Sequence, residues 1–206
     1  RIWPSLILTP IVRVNMLIPG GKIHGIGNNT QHDRDVHNLF EHFPPHLKFT
    51  DEEEARGEAK LLSMGITSAD QFVCLIVRDS AYLNQHQSDG DWSYHDYRDC
   101  NIQNYVLASD ALADRGYFVI RMGVFVNEAM KSKNKRAIDY AFNGMRDDFM
   151  DIYLGAKCTF CISTSLGWDS VPEIFRRPIL YTNLTPFGYI RSFGKDSLNL
   201  VKHYFL

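Results

Sequence analysis

Ser163, Thr164, Ser165 and Gly167 follow directly on an apolar run at 158–162 and precede a stretch of helical character at 169–175. Hydroxyls and bare backbone at the end of a buried strand can donate to phosphate or sugar oxygens, and a following helix start adds positive potential. The bland reading of the same residues is an ordinary strand-to-helix turn, where small hydroxyl residues are common. Glu173, on the predicted short helix, would accept from a ribose diol if it faces the same crevice and would be a solvated carboxylate if it does not.

Three arginines form a second constellation. Arg78 follows the apolar run 72–77, Arg98 precedes a predicted helix, and Arg121 closes the run 117–120 together with Gly123. If those strands are parallel, all three side chains leave the same edge of the sheet. Guanidinium groups stay charged and bind phosphates bidentately, so three of them converging would hold a diphosphate and stabilise the charge that develops as it leaves. Against this, each arginine has an acidic neighbour in sequence, Asp79 beside Arg78 and Asp99 beside Arg98, and a local ion pair is the plain alternative.

Other patterns carry less. Cys158 and Cys161 have CxxC spacing, but residues three apart on a strand point to opposite faces, so core packing is expected rather than a metal or redox site. His24, His32, His37, His42 and His46 match no ligand spacing, and Pro44-Pro45 keeps His42 and His46 off a common helix face. The 163–167 loop also has the outline of a degenerate G-x-S-x-G elbow, with Asp196 and His203 in the order of an α/β-hydrolase triad. Its first glycine is replaced by Ser163, and the spacing of seven residues from Asp196 to His203 leaves little room for intervening structure.

The elements that must position these residues begin at Thr50, which with Glu53 spells a capping box for a helix running to about Met64 before Gly65. Strands are expected at 72–77, 117–120, 158–162 and 178–181, with a weaker one at 137–142, and helices at 101–115, 147–156 and 169–175. The stretch 80–97 reads as a long polar loop. Strand and helix alternating at this spacing predict an α/β fold with a Rossmann-like doubly wound parallel sheet over 50–206. Residues 1–49, rich in Pro and Gly, read as a connector or arm from a preceding domain, with the apolar stretch 6–14 as that domain's last strand or as an arm. A chain starting at Arg1 reads as a fragment or as a processed product, so that a second domain is allowed for.

A net charge of -2 and a pI near 6.5 argue against a nucleic-acid partner, which requires a broad basic face. The last 31 residues hold Arg176, Arg177, Arg191, Lys195 and Lys202 against Asp196 alone, either a solvated basic edge or one drawn to phosphates or to an anionic membrane surface. No apolar run approaches the roughly 20 residues that span a bilayer. Four cysteines without framework spacing suit a reducing, cytoplasmic setting.

Taken in order, CLIVRDSAYL at 74–83, YRDCNIQNYVLASDALADRGYFVIRMG at 97–123 and the segment 148–183 resemble a family of bacterial glycosyltransferases with two-domain GT-B architecture, acting in surface-polysaccharide or glycan assembly. The resemblance covers about 49–183 and corresponds to the C-terminal, donor-binding half, leaving the acceptor-binding half and its base unaccounted for. It implies binding of a nucleotide diphosphate sugar without a metal ion or other cofactor, and a glycan or lipid-linked acceptor. On it, Arg78, Arg98 and Arg121 face the diphosphate, Ser163 to Gly167 cradle phosphate or sugar, and Glu173 contacts hydroxyls. Asp79, Asn101 and Gly123, at the same strand and helix ends, complete the donor-binding set. A non-catalytic nucleotide-sugar-binding module is the remaining alternative.

Overall fold

The structure is a computed structural model, and it describes residues 4–21, 35, 38–86, 89–191 and 194–203. The chain divides into two compact units, Arg1–His37 and Asn38–Leu206.

In the first unit Pro4–Leu8 winds as a π-helix and continues into helix α1 (Thr9–Asn15). The apolar stretch at 6–14 is therefore helical and not the strand that its apolar run allowed. His24, His32 and His37 lie outside the described residues.

The second unit opens with a one-turn helix α2 (Leu39–His42), followed by α3 (Asp51–Ser63). Thr50 caps α3 as expected: its Oγ1 accepts from the Glu53 N–H at 3.3 Å, and the Glu53 carboxylate accepts from the Thr50 N–H at 2.8 Å. Six strands then form one all-parallel sheet: β1 (Phe72–Ile76), β2 (Phe118–Met122), β3 (Ala137–Ile138), β4 (Phe160–Ser163), β5 (Ile179–Leu184) and β6 (Ser197–Val201). Their spatial order is β3-β2-β1-β4-β5-β6, so the direction of winding reverses between β1 and β4. This is the Rossmann order, and the reversal opens a crevice beyond the carboxyl ends of β1 and β4. The weak strand expected at 137–142 survives only as the two residues of β3.

Helices fill the crossovers. α4 (Ala81–His86) and a 3-10 turn (Ser93–Arg98) occupy the stretch expected to be loop; a second 3-10 turn (Ile102–Tyr105) leads into α5 (Val106–Asp114); α6 (Asp148–Lys157) precedes β4; and α7 (Ser170–Ile174) precedes β5. Alternate residues of each central strand feed two separate cores. Phe72, Cys74, Ile76, Ile120, Cys161 and Tyr181 pack with Met150, Tyr153 and Leu154 of α6, while Val73, Leu75, Val119 and Ile162 pack with Ile102, Val106 and Leu112. A sheet covered on both faces favours strands apolar at nearly every position, and β1 and β2 are buried throughout, with Arg121 of β2 as the one charged residue among them.

Cys158 and Cys161 both lie in the first core, together with Cys74, and all three thiols are free. Cys158 sits at the end of α6, ahead of the strand, so the opposite-face argument does not apply to it although the packing role does. Burial pushes the Cys74 and Cys161 thiols well above their ordinary range.

Candidate functional site at the carboxyl edge of the sheet

A cavity of about 420 Å³ opens at the switch point. Its walls come from the end of β1 (Ile76 to Asp79), the end of β2 (Met122 to Val126), Tyr82 and Leu83 of α4, Asp151 of α6, and Leu166, Gly167 and Trp168 after β4. Most of this lining is apolar or aromatic, with Arg78, Asp79 and Asp151 as the charged groups, the composition of a site that sandwiches a ring and fixes it with a few polar contacts. Gly123 is in the wall with φ +156, and a Cβ there would stand 2.7 Å from Val126 Cγ1.

The hydroxyl loop is at this edge, but its polar groups are turned inward. Ser163 Oγ donates to Asp169 Oδ1 at 2.6 Å and accepts from the Ser165 N–H at 3.0 Å. Thr164 Oγ1 accepts from the Arg78 N–H at 2.7 Å, tying β4 to the end of β1, and the Thr164 N–H reaches the Ile76 carbonyl. The Leu166 N–H donates to Asp169 Oδ2 at 2.7 Å. Three consecutive amides and two hydroxyls are therefore spent on shaping the loop. Ser165 takes φ +66, a left-handed conformation that a non-glycine residue holds only where its surroundings impose it. Gly167 and Trp168 are the parts of the loop that reach the cavity.

Asp169 is fully buried, and desolvation raises its carboxyl to about 6 against the pull of its two hydrogen bonds. Sequence reading passed over Asp169 because an acidic residue two positions past a glycine looks like an ordinary helix start. The signal available was its offset of three from Leu166, the spacing of a capping carboxylate.

The arginines separate into two kinds. Arg78 lines the cavity, and its Nε lies 2.9 Å from Asp99 Oδ1. Arg98 donates from Nη2 to the Ser165 carbonyl at 2.9 Å and stacks over Tyr189 at 5.1 Å. Arg121 does not join them. Alternation along β2 puts it on the face opposite Met122, the residue that lines the cavity. It is 1% exposed there, bonded to the Glu128 carbonyl at 2.6 Å and paired with Asp139 at 3.2 Å. The expected convergence of three guanidiniums is thus a pair at the edge and an internal strut.

Three more predicted positions act as fasteners. Asp79 accepts from the Ala81 N–H at the start of α4 and from the Asn127 N–H, fixing the cavity wall after β2. Asn101 caps the 3-10 turn through the Gln103 N–H at 2.7 Å. Glu173 accepts from the Tyr181 hydroxyl at 2.8 Å and pairs with Arg191. It lines a different cavity, shared with Arg176, Arg177 and Gly194 to Ser197 at the amino ends of β5 and β6, away from the crevice expected for it.

The hydrolase triad is not assembled. Asp196 precedes β6 and exposed His203 follows it, so at ~3.3 Å per residue they stand ~20 Å apart on opposite edges of the sheet. Among the described residues no group of His, Cys, Asp and Glu is placed to hold a metal ion, and no helix is long and apolar enough to cross a membrane.

No protein-family model matches the chain, and no curated protein sequence does. Among solved structures, ADP-heptose lps heptosyltransferase II of E. coli is similar in fold, with a TM-score of 0.51 and 14% identity over 76% of this chain. That match takes in 45% of the heptosyltransferase, so the chain spans less than half of its length. The second unit, with its switch-point cavity, therefore has a Rossmann-like fold of the kind found in a glycosyltransferase.

Proposed function

We propose that the chain is the donor-binding part of a glycosyltransferase, which takes a sugar from a nucleoside diphosphate sugar and passes it to a glycan or lipid-linked acceptor. The observation that carries this reading is the cavity at the β1/β4 switch point with Arg78 in its wall. Tyr82, Phe125 and Trp168 offer flat apolar surface to a base or sugar ring, while Arg78, oriented through Nε by Asp99, turns its remaining N–H groups to a phosphate. The donor's charge is met by arginine, so the reading needs no divalent cation. On this reading the acceptor is bound by a further part of the protein, and a cytoplasmic setting with peripheral contact to the membrane belongs to the same proposal.

The test is calorimetry of the folded chain with a panel of UDP-, GDP-, ADP-, CDP- and dTDP-sugars. Saturable binding to one of them, weakened at least about tenfold in Arg78→Ala, is expected, because a bidentate guanidinium contact to phosphate contributes roughly 1.5–3 kcal/mol. No binding across the panel to folded protein would sink the reading.

A further inference from the structure

Helix α1 buries none of its residues, and between Leu6 and Ile18 nine large apolar side chains stand 38–84% exposed. Leu6, Ile7 and Leu8 are consecutive, as are Met16, Leu17 and Ile18, so the apolar surface runs around the segment instead of along one stripe. Thr9 and Arg13, four apart and so on one side of α1, form its narrow polar line. The segment closes on itself: Asn15 Nδ2 donates to the Gly21 carbonyl at 3.3 Å, and the Gly21 N–H reaches the Ile18 carbonyl at 2.9 Å.

The shape of this surface separates the possible occupants. A protein groove takes the apolar stripe of a helix and leaves the opposite face in water, whereas a segment apolar on nearly all sides requires an apolar medium around it. Coiled-coil pairing with a second copy needs a heptad pattern sustained over several turns, and α1 has only 7 residues. Charge points to the medium. The chain has 24 acidic residues, yet none precedes Asp33, while Arg1, Arg13 and Lys22 fall within that stretch. A surface that is apolar and exclusively basic complements anionic lipid, because acyl chains take the apolar groups and headgroup phosphates take the cations. From Pro4 to Asn15, at ~1.5 Å per residue, the helix is at most ~18 Å long, short of the ~30 Å hydrocarbon core. It therefore fits along a bilayer surface and not across it.

We propose that the segment from Leu6 to Ile18 is a membrane-surface anchor, lying in the plane of an anionic phospholipid bilayer with its apolar side chains among the acyl chains and Arg13 at the phosphates. This contact gives the peripheral membrane association of the function proposed above a place on the chain, and it rests on that reading for its setting alone; the lipid contact itself needs only this segment.

The test is sedimentation of the full chain with vesicles of phosphatidylcholine alone and of phosphatidylcholine and phosphatidylglycerol at 3:1. Binding is expected to the mixed vesicles and to be weaker to the neutral ones. Arg13→Gln should weaken it about fivefold, the effect of one basic residue at an anionic surface. The double variant Ile11→Glu and Val14→Glu should lose binding at least tenfold, and Leu17→Glu, at the most exposed of the nine positions, provides a second substitution should the first misfold. Absence of sedimentation with the mixed vesicles overturns the anchor. So does sedimentation undiminished in both acidic variants, which would move the contact to another surface such as the basic edge at 176–202. A concentration-dependent dimer that the same variants abolish, without vesicle binding, would assign the segment to a second copy instead. Calorimetry with the nucleotide-sugar panel keeps the two proposals apart: vesicle binding without nucleotide binding sustains the anchor and sinks the donor reading, and nucleotide binding without vesicle binding does the reverse.

Discussion

Ser163 Oγ donates to Asp169 Oδ1 at 2.6 Å with both residues fully buried, so the loop that ends β4 is held by a carboxylate that forms no ion pair among the described residues. Asp169 titrates near 6 where an unfolded aspartate titrates near 3.8. A raised carboxyl binds its proton more tightly in the folded state, so its charged form costs stability above pH 6 and that cost is relieved as pH falls. Between pH 7 and pH 5 this group alone should add about 1–1.5 kcal/mol to the unfolding free energy. Urea midpoints across that interval, compared with Asp169→Asn, measure it: the variant should lack this part of the slope, and parallel slopes would show that the shift is absent.

Arg121 was expected to face a diphosphate, and the structure makes it an internal strut between Asp139 and the Glu128 carbonyl. Arg121→Met leaves Asp139, 16% exposed in its side chain, without its cation and should cost about 3 kcal/mol or more in urea denaturation. The double variant with Asp139→Asn should recover part of that loss. Whatever folded Arg121→Met protein remains should bind nucleotide as the unaltered chain does. A selective loss of binding with unchanged stability would instead place Arg121 at the ligand.

The contrast between Arg78 and Arg121 also shows what was legible in the sequence. Both follow the same pattern, an apolar run closing on arginine, and the pattern correctly located two parallel strands. It could not say that Arg121 is the fourth of five strand residues, so that pleat alternation aims it at the second core, whereas Arg78 lies beyond Ile76 and is free to turn over the edge. β6 was missed for a related reason: its Leu198 and Leu200 point outward at 68% and 57% exposure, so its residues do not advertise a buried strand.

Ser165 distinguishes the two chemistries once considered for its loop. At φ +66 it carries a backbone strain that glycine would not, so Ser165→Gly should raise stability by about 0.5–1 kcal/mol, measured by thermal unfolding. Nucleotide binding should be kept, since the Ser165 group that meets Arg98 is the backbone carbonyl. Labelling of Ser165 by a fluorophosphonate in the unaltered chain would contradict this account.

Gly57 sets the closest approach between α3 and α6. The Tyr153 ring lies across it, near enough that a Cβ would stand 2.2 Å from Tyr153 Cζ, while the Tyr153 hydroxyl donates to Glu54 one turn earlier at 3.1 Å. Helix propensity alone says that Gly57→Ala should gain up to about 1 kcal/mol. Packing says the opposite, because the ring cannot retreat without leaving Phe49 at 5.0 Å and Phe149 at 5.6 Å. Overpacking of this kind costs roughly 1–3 kcal/mol and should win, so Gly57→Ala is expected to lower the unfolding temperature. Gly57→Ala combined with Tyr153→Leu, which removes the obstructing ring, should lose less than the sum of the two single changes. Strict additivity in that cycle would mean that the ring and the glycine are not in contact.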